Sequence, residues 1–82
     1  MTPRPFIRLH ADDNIAVAAR PVSAGTALEL DGVPNLSTAE PIDMGHKVAL
    51  KPIEAGQPIR KFGQVIGYAS QAIPPGAWVH TH

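Results

Sequence analysis

The chain contains no cysteine, so neither a disulfide framework nor a thiolate metal site can hold it together. Aromatic residues are scarce: two Phe, one Trp and one Tyr. They are not interleaved with basic residues, which removes the stacking platform of a single-strand nucleic-acid binder. Neither sign of charge is in excess, because seven Lys+Arg offset seven Asp+Glu. Such neutrality speaks against a long polyanion as partner, so no nucleic acid is expected. No apolar run reaches the length of a membrane span, and Met1 to Leu9 has no signal-peptide core. No membrane contact is expected, and the expected compartment is the cytoplasm. A Gly-rich phosphate loop, a nucleophile elbow and a metalloprotease helix motif are also missing. Ser23, Ser37 and Ser70 have no motif context, so a serine triad is unsupported.

What is abundant is punctuation. Nine prolines and seven glycines among 82 residues leave little room for helix. Short apolar runs lie between them: 14–18, 46–50, 64–68 and 77–80. Each is bounded by Gly, Pro, Asp or Asn and carries β-branched residues such as Ile15, Val17, Val48, Val65, Ile66 and Val79. Each run predicts a strand. Residues 37–43 are the one stretch with helical composition, but Pro41 interrupts them, which predicts a loop or a single turn. One domain, residues 1–82, is expected from the length. So small a core usually needs help from a metal or a partner.

Three segments share a pattern: Val22-Ser23-Ala24-Gly25, Ile53-Glu54-Ala55-Gly56 and Ile73-Pro74-Pro75-Gly76. In each, a β-branched residue can anchor a turn whose glycine supplies a positive φ. The unequal spacings, 31 and 20 residues, exclude a solenoid. Anchored turns between short strands predict a compact, folded-over, mostly β structure or small barrel.

Charge is uneven along the chain. From Gly45 onward stand Lys47, Lys51, Arg60, Lys61 and three of the four histidines, against the single acid Glu54. A locally cationic stretch in a neutral chain suits a small anionic ligand. His80 and His82 are one residue apart on a strand-like run and so share a face. They suit one metal ion or one anionic substrate, or are simply a solvated chain end. His46 and Lys47 open a strand and point to opposite faces, so one can meet a cleft while the other meets solvent. Lys61 sits beside Gly63 and can bind a carboxylate, act as a base, or be half of a solvated basic pair. Asp12-Asp13-Asn14 reads as a turn, with an oxygen ligand for a metal as the alternative. His10 reads as a surface residue flanking that turn. Core packing is the expected role of Trp78 and Phe62.

Several segments form a specific set: Gly45-His46-Lys47-Val48-Ala49-Leu50, Pro52-Ile53-x-x-Gly56, Lys61-Phe62-Gly63-Gln64-x-Ile66-Gly67, Ile73-x-x-Gly76 and Val79-His80-Thr81-His82. The set resembles the N-terminal domain of the altronate and galactarate dehydratase family, and Leu9-His10-x-x-Asp13-Asn14-x-Ala16-Val17-Ala18 resembles that family's start. Only residues 29–44 carry no recognisable signature. The resemblance implies a SAF-type β-clip fold. It implies an accessory or substrate-site role in a sugar-acid hydro-lyase, incomplete without a larger catalytic domain or subunit. Its substrate would be a small anionic sugar acid. His46, Lys47 and Lys61 would bind substrate, and His80 and His82 would join the site in the complete enzyme, as ligands of a divalent metal or as contacts to the substrate acid. The family motif runs on past these histidines, so a chain ending at His82 suggests a cut-out domain or a short small subunit. Two alternatives stand beside this reading. One is a non-catalytic carbohydrate- or sugar-acid-binding module. The other is a docking subunit of a related lyase that eliminates sulfite from sulfolactate.

Overall fold

The computed structural model describes residues 4–33 and 35–80. The described residues contain no helix, as the proline and glycine content predicts. Six short strands form: β1 (Phe6–Ile7), β2 (Ile15–Ala18), β3 (Lys47–Ala49), β4 (Pro58–Lys61), β5 (Gln64–Tyr68) and β6 (Trp78–Val79). The four expected strands are β2, β3, β5 and β6. The two unforeseen ones, β1 and β4, both involve proline-flanked segments that read as breakers in isolation.

β1, β2, β3 and β6 make one antiparallel sheet in the order β1-β2-β3-β6, and β4 and β5 form a separate hairpin. Both faces of the larger sheet are covered, so side chains alternate between two apolar clusters. Ala16, Ala18, Val48 and Leu50 face a cluster with Phe6, Leu28 and Ile42. Ile15, Ala49 and Val79 face a second with Ile53, Ile59 and Ala69.

The two clusters are copies of one another. Val22 bridges Ile42, and Ile53 bridges Ile73. Shifting the first pair by 31 residues yields the second. The hydrogen bonds obey the same shift. Gly25 N–H to Thr38 O becomes Gly56 N–H to Ala69 O, each 2.8 Å. Gly45 N–H to Ala18 O becomes Gly76 N–H to Ala49 O, again 2.8 Å. Residues 15–45 and 46–76 are thus two versions of one strand-turn-hairpin-turn unit. The turn pattern therefore occurs four times, not three. Pro41-Ile42-Asp43-Met44-Gly45 is the missing copy, and all of it but Gly45 lies in the stretch without a recognised signature. Met44 replaces the small or proline residue of the other copies, which hides it. Gly25, Gly45, Gly56 and Gly76 all have φ between 82° and 85°.

Within each unit a hairpin follows the first turn, closed by the Ala27–Ser37 bridge in one and by the Pro58–Tyr68 pair in the other. The second turns tightly at Phe62 and Gly63, with φ of 60° and 74°. Two consecutive positive φ values define a type I′ turn, whose twist suits a hairpin.

Candidate functional site

Register decides which of the charged residues meet. In the β3–β6 pairing Lys47 opposes Val79 and Val48 opposes Trp78. Continuing that register sets His46 opposite His80, on the same face as Trp78. The His46 and Trp78 rings stack with centroids 4.9 Å apart and planes 9° apart. His80 lies against the same indole at 3.6 Å, tilted by 40°. Two imidazoles, one just before β3 and one just after β6, thus contact one tryptophan.

Local turns place each of these groups. The turn ending at Gly45 lets the His46 amide donate to Asp43 O at 3.1 Å, and the His46 carbonyl accept from Ala18 N–H at 2.9 Å. The equivalent turn at Gly76 delivers Trp78 to the edge of the sheet. There the Trp78 amide donates to Glu40 Oε2 at 3.1 Å, and Gly76 O accepts from Ala39 N–H at 2.8 Å. Residues 37–40 of the first unit therefore run along the outer edge of β6 in the second. Beside this edge opens a cleft of about 270 Å³, lined by Glu40, Ser70, Gln71, Ile73, Trp78 and His80 among others. That is slightly below the roughly 300–1,000 Å³ of a self-sufficient small-molecule pocket.

Lys47 points the other way, toward Val17 and Val79, as the alternation of a regular strand requires. Lys61 lies in the second sheet, paired with Gln64 at the start of the hairpin turn. Among the described residues, neither lysine side chain has an ion pair. The structure thus brings His46 and His80 to one shared indole and leaves the side chains of Lys47 and Lys61 apart from it. His82 lies outside the described residues. Among the described residues no group of three or more His, Cys, Asp or Glu could hold a metal.

Asp13 illustrates the other outcome for a polar cluster. It forms the expected turn, its amide donating to His10 O at 3.0 Å. Its side chain, only 1% exposed, then crosses to the hairpin. Oδ2 accepts from the Phe62 amide at 3.0 Å and Oδ1 from the Gly63 amide at 2.8 Å. Both oxygens of Asp13 are engaged by backbone amides, which gives this side chain a structural role. Asn14 adds two bonds, accepting from Arg60 N–H at 2.8 Å and donating to Pro58 O at 2.9 Å. Arg8 steadies the clamp by donating to the Asp13 and Ala11 carbonyls. His10 remains a flanking residue: its Nδ1 accepts from Asp12 N–H at 3.0 Å, and its ring lies beside Gly63.

Of the two aromatics expected in the core, one is there and one is not. Trp78 packs on the first cluster. Phe62 is not a core residue but is 67% exposed. A type I′ turn projects its first central side chain away from the strands, and Asp13 holds the backbone in that form. Glu40 escapes a reading of the sequence because its partner lies 38 residues away and no spacing pattern marks it.

The sequence model of the family described as altronate/galactarate dehydratase SAF domain matches residues 4–82. Altronate dehydratase of Bacillus subtilis (strain 168) is 39% identical over 77 residues, which cover 94% of this chain and 15% of that protein. Galactarate dehydratase (L-threo-forming) of Escherichia coli (strain K12) is 44% identical over 76 residues, 90% of this chain and 14% of the relative. Altronate dehydratase of the same E. coli strain is 38% identical over 77 residues, 94% of this chain and 15% of the relative. The chain thus spans only 14–15% of the length of these relatives. No helix among the described residues is long and apolar enough to cross a membrane.

Proposed function

The chain belongs to the altronate/galactarate dehydratase SAF domain family, and we propose on that premise that it is a substrate-side accessory domain of a cytoplasmic sugar-acid hydro-lyase. It adopts the β-clip architecture of its group as one domain, and a larger catalytic region completes the site. The observation that carries this reading is that Trp78 and His80 line a shallow cleft while His46 stacks on the same indole.

Dehydration beside a carboxylate needs an acid for the departing hydroxyl, a base for the acidic carbon-bound proton, and stabilisation of an enediolate-like charge. The described residues hold one part of this apparatus. Imidazoles can donate to, or accept from, sugar hydroxyls, and when protonated they pair with a carboxylate. The indole gives them a fixed apolar wall. Lys47 and Lys61, which lie away from the cleft, add positive potential that draws in an anionic acid. A divalent ion in the complete enzyme would polarise the substrate as a Lewis acid. His80 and His82 are the ligands this chain would add, with the remainder coming from the larger region.

The test is turnover of altronate and galactarate. The 82-residue chain alone should show none. With this chain replacing the matching segment of the E. coli galactarate dehydratase, His46→Ala or His80→Ala should lower kcat/KM by about 10–100-fold. Appreciable turnover by the isolated chain contradicts the accessory role. A second reading, a non-catalytic sugar-acid-binding module, would use the same His46–Trp78–His80 contacts for binding alone. Under it both variants weaken binding of the sugar acid and leave kcat unchanged.

A further inference from the structure

The β4–β5 hairpin exposes what its counterpart hides. In the first unit the apolar residues of the hairpin turn inward: Leu28 is fully buried, and Leu30, Val33 and Leu36 pack against the first cluster. In the second unit only Ile59 enters a core. Phe62 is 67% exposed and Tyr68 69%, with Val65 and Ile66 exposed beside them. Four large apolar side chains on one short hairpin form the kind of patch that marks an interaction site.

Two features show that this exposure is built rather than incidental. Phe62 occupies a left-handed backbone conformation, which a bulky residue adopts only when its surroundings enforce it. The buried Asp13 carboxylate supplies that enforcement by accepting both turn amides. The phenyl ring is therefore presented outward on a fixed backbone. In addition, β5 has no partner on its second edge among the described residues. Its sequence, Gln64-Val65-Ile66-Gly67-Tyr68, has no charge and three strong strand formers. Soluble proteins blunt or cover such an edge, because an open one pairs with other chains.

We propose that the β4–β5 hairpin, through Phe62, Val65, Ile66 and Tyr68, is the docking surface for the larger catalytic region. The proposal rests on the accessory-domain reading. The choice of occupant follows from the relatives, in which the matched segment makes up 14–15% of the length, so that the remaining chain is what lies available to cover it. Arg60 and Lys61 lead into the hairpin tip without an ion pair among the described residues. The surface that receives the hairpin is therefore an apolar groove with an acidic rim. Aromatic and arginine residues at the centre and edge of such a contact are the usual anchors.

Hydroxyl-radical footprinting tests this with two samples: the isolated chain, and the galactarate dehydratase of E. coli carrying this chain in place of its matching segment. Phe62 and Tyr68 should oxidise readily in the isolated chain and several-fold more slowly in the graft. Phe62→Gly with Ile66→Ser should restore fast Tyr68 oxidation in the graft. Equal reactivity of Phe62 and Tyr68 in the two samples overturns the proposal. So does slow oxidation in an isolated chain that sediments as a dimer, which would make a second copy the occupant. Galactarate turnover is measured separately. An inactive graft with protected Phe62 and Tyr68 sinks the accessory reading and keeps the docking surface. An active graft with exposed rings does the reverse. If the graft fails to fold, footprinting the corresponding hairpin of the unmodified galactarate dehydratase decides instead: protection there upholds the docking surface, and free oxidation overturns it.

Discussion

The two 31-residue units share a backbone plan but hold their hairpins by different forces. The first hairpin is held by grease: Leu28, Leu30, Val33 and Leu36 lie against the core. The second is held by a polar clamp, in which Asp13 and Asn14 bond the backbone of Pro58, Arg60, Phe62 and Gly63. Of the second hairpin's large apolar side chains only Ile59 enters a core, and Phe62, Val65, Ile66 and Tyr68 stay exposed. Polar fixation of the backbone is what allows apolar side chains to point outward in a stable fold.

The sharpest way to break the equivalence is at the second turn of each unit. Gly45 and Gly76 occupy matching positions with φ of 83° and 82°. A Cβ on Gly45 would meet nothing within 4 Å, whereas one on Gly76 would overlap the Ser37 carbonyl oxygen. Gly45→Ala should therefore cost only the left-handed penalty, about 1–2 kcal/mol. Gly76→Ala should add the collision with residues 37–39 and cost about 4 kcal/mol or more, enough to unfold so small a domain. Urea melts of the two variants check this, and equal losses would refute the asymmetry.

The clamp comes next. Asp13→Ala leaves the Phe62 and Gly63 amides without their acceptor and should destabilise by about 3 kcal/mol. Asp13→Asn keeps one acceptor oxygen and should lose about half as much. Amide exchange should accelerate first in residues 58–68 of the Asn variant, while the first hairpin stays protected. Uniform acceleration across both hairpins would show that the clamp holds the whole fold rather than one arm.

A third pair of variants contrasts the greasy and the clamped arm directly. Leu30→Ser removes a side chain packed on the first cluster and should cost about 1–2 kcal/mol. Ile66→Ser changes an exposed residue and should stay within about 0.5 kcal/mol of the parent in the isolated chain. Denaturant melts of both variants measure the contrast, and equal losses would remove it.

How far the amino-acid sequence reveals these differences depends on the range of the interaction. β2, β3, β5 and β6 are legible because β-branched residues between Gly and Pro signal strands locally. His46 and His80 are legible as chemistry-bearing residues, but their meeting on Trp78 depends on the β3–β6 register. The fourth turn is hidden by Met44, although its glycine has the same φ as the rest. Glu40 and Asp13 act on backbone amides 38 and 49 residues away, and no local pattern encodes such a partner. Phe62 misleads for the same reason: an aromatic beside a glycine suggests a core residue until the distant carboxylate that turns it outward is known.

Phe62→Gly is the subtlest test, because its two effects have opposite signs. Replacing a left-handed phenylalanine by glycine relieves about 1–2 kcal/mol of backbone penalty. Against this stands about 0.5–1 kcal/mol for the greater freedom glycine has in the unfolded chain. The ring is 67% exposed, so little burial is lost. The isolated domain should therefore gain about 0.5–1 kcal/mol in a denaturant melt, and the type I′ turn should persist with Asp13 still bonded to both amides. The contact with the larger region should weaken at the same time, since the anchor is gone. A variant that is more stable alone and less firmly joined to its partner would identify residue 62 as one whose side chain was kept for the interface at the expense of the fold. Loss of stability in the isolated domain would instead show that the ring supports the hairpin itself, and would return Phe62 to the structural role its sequence context suggests.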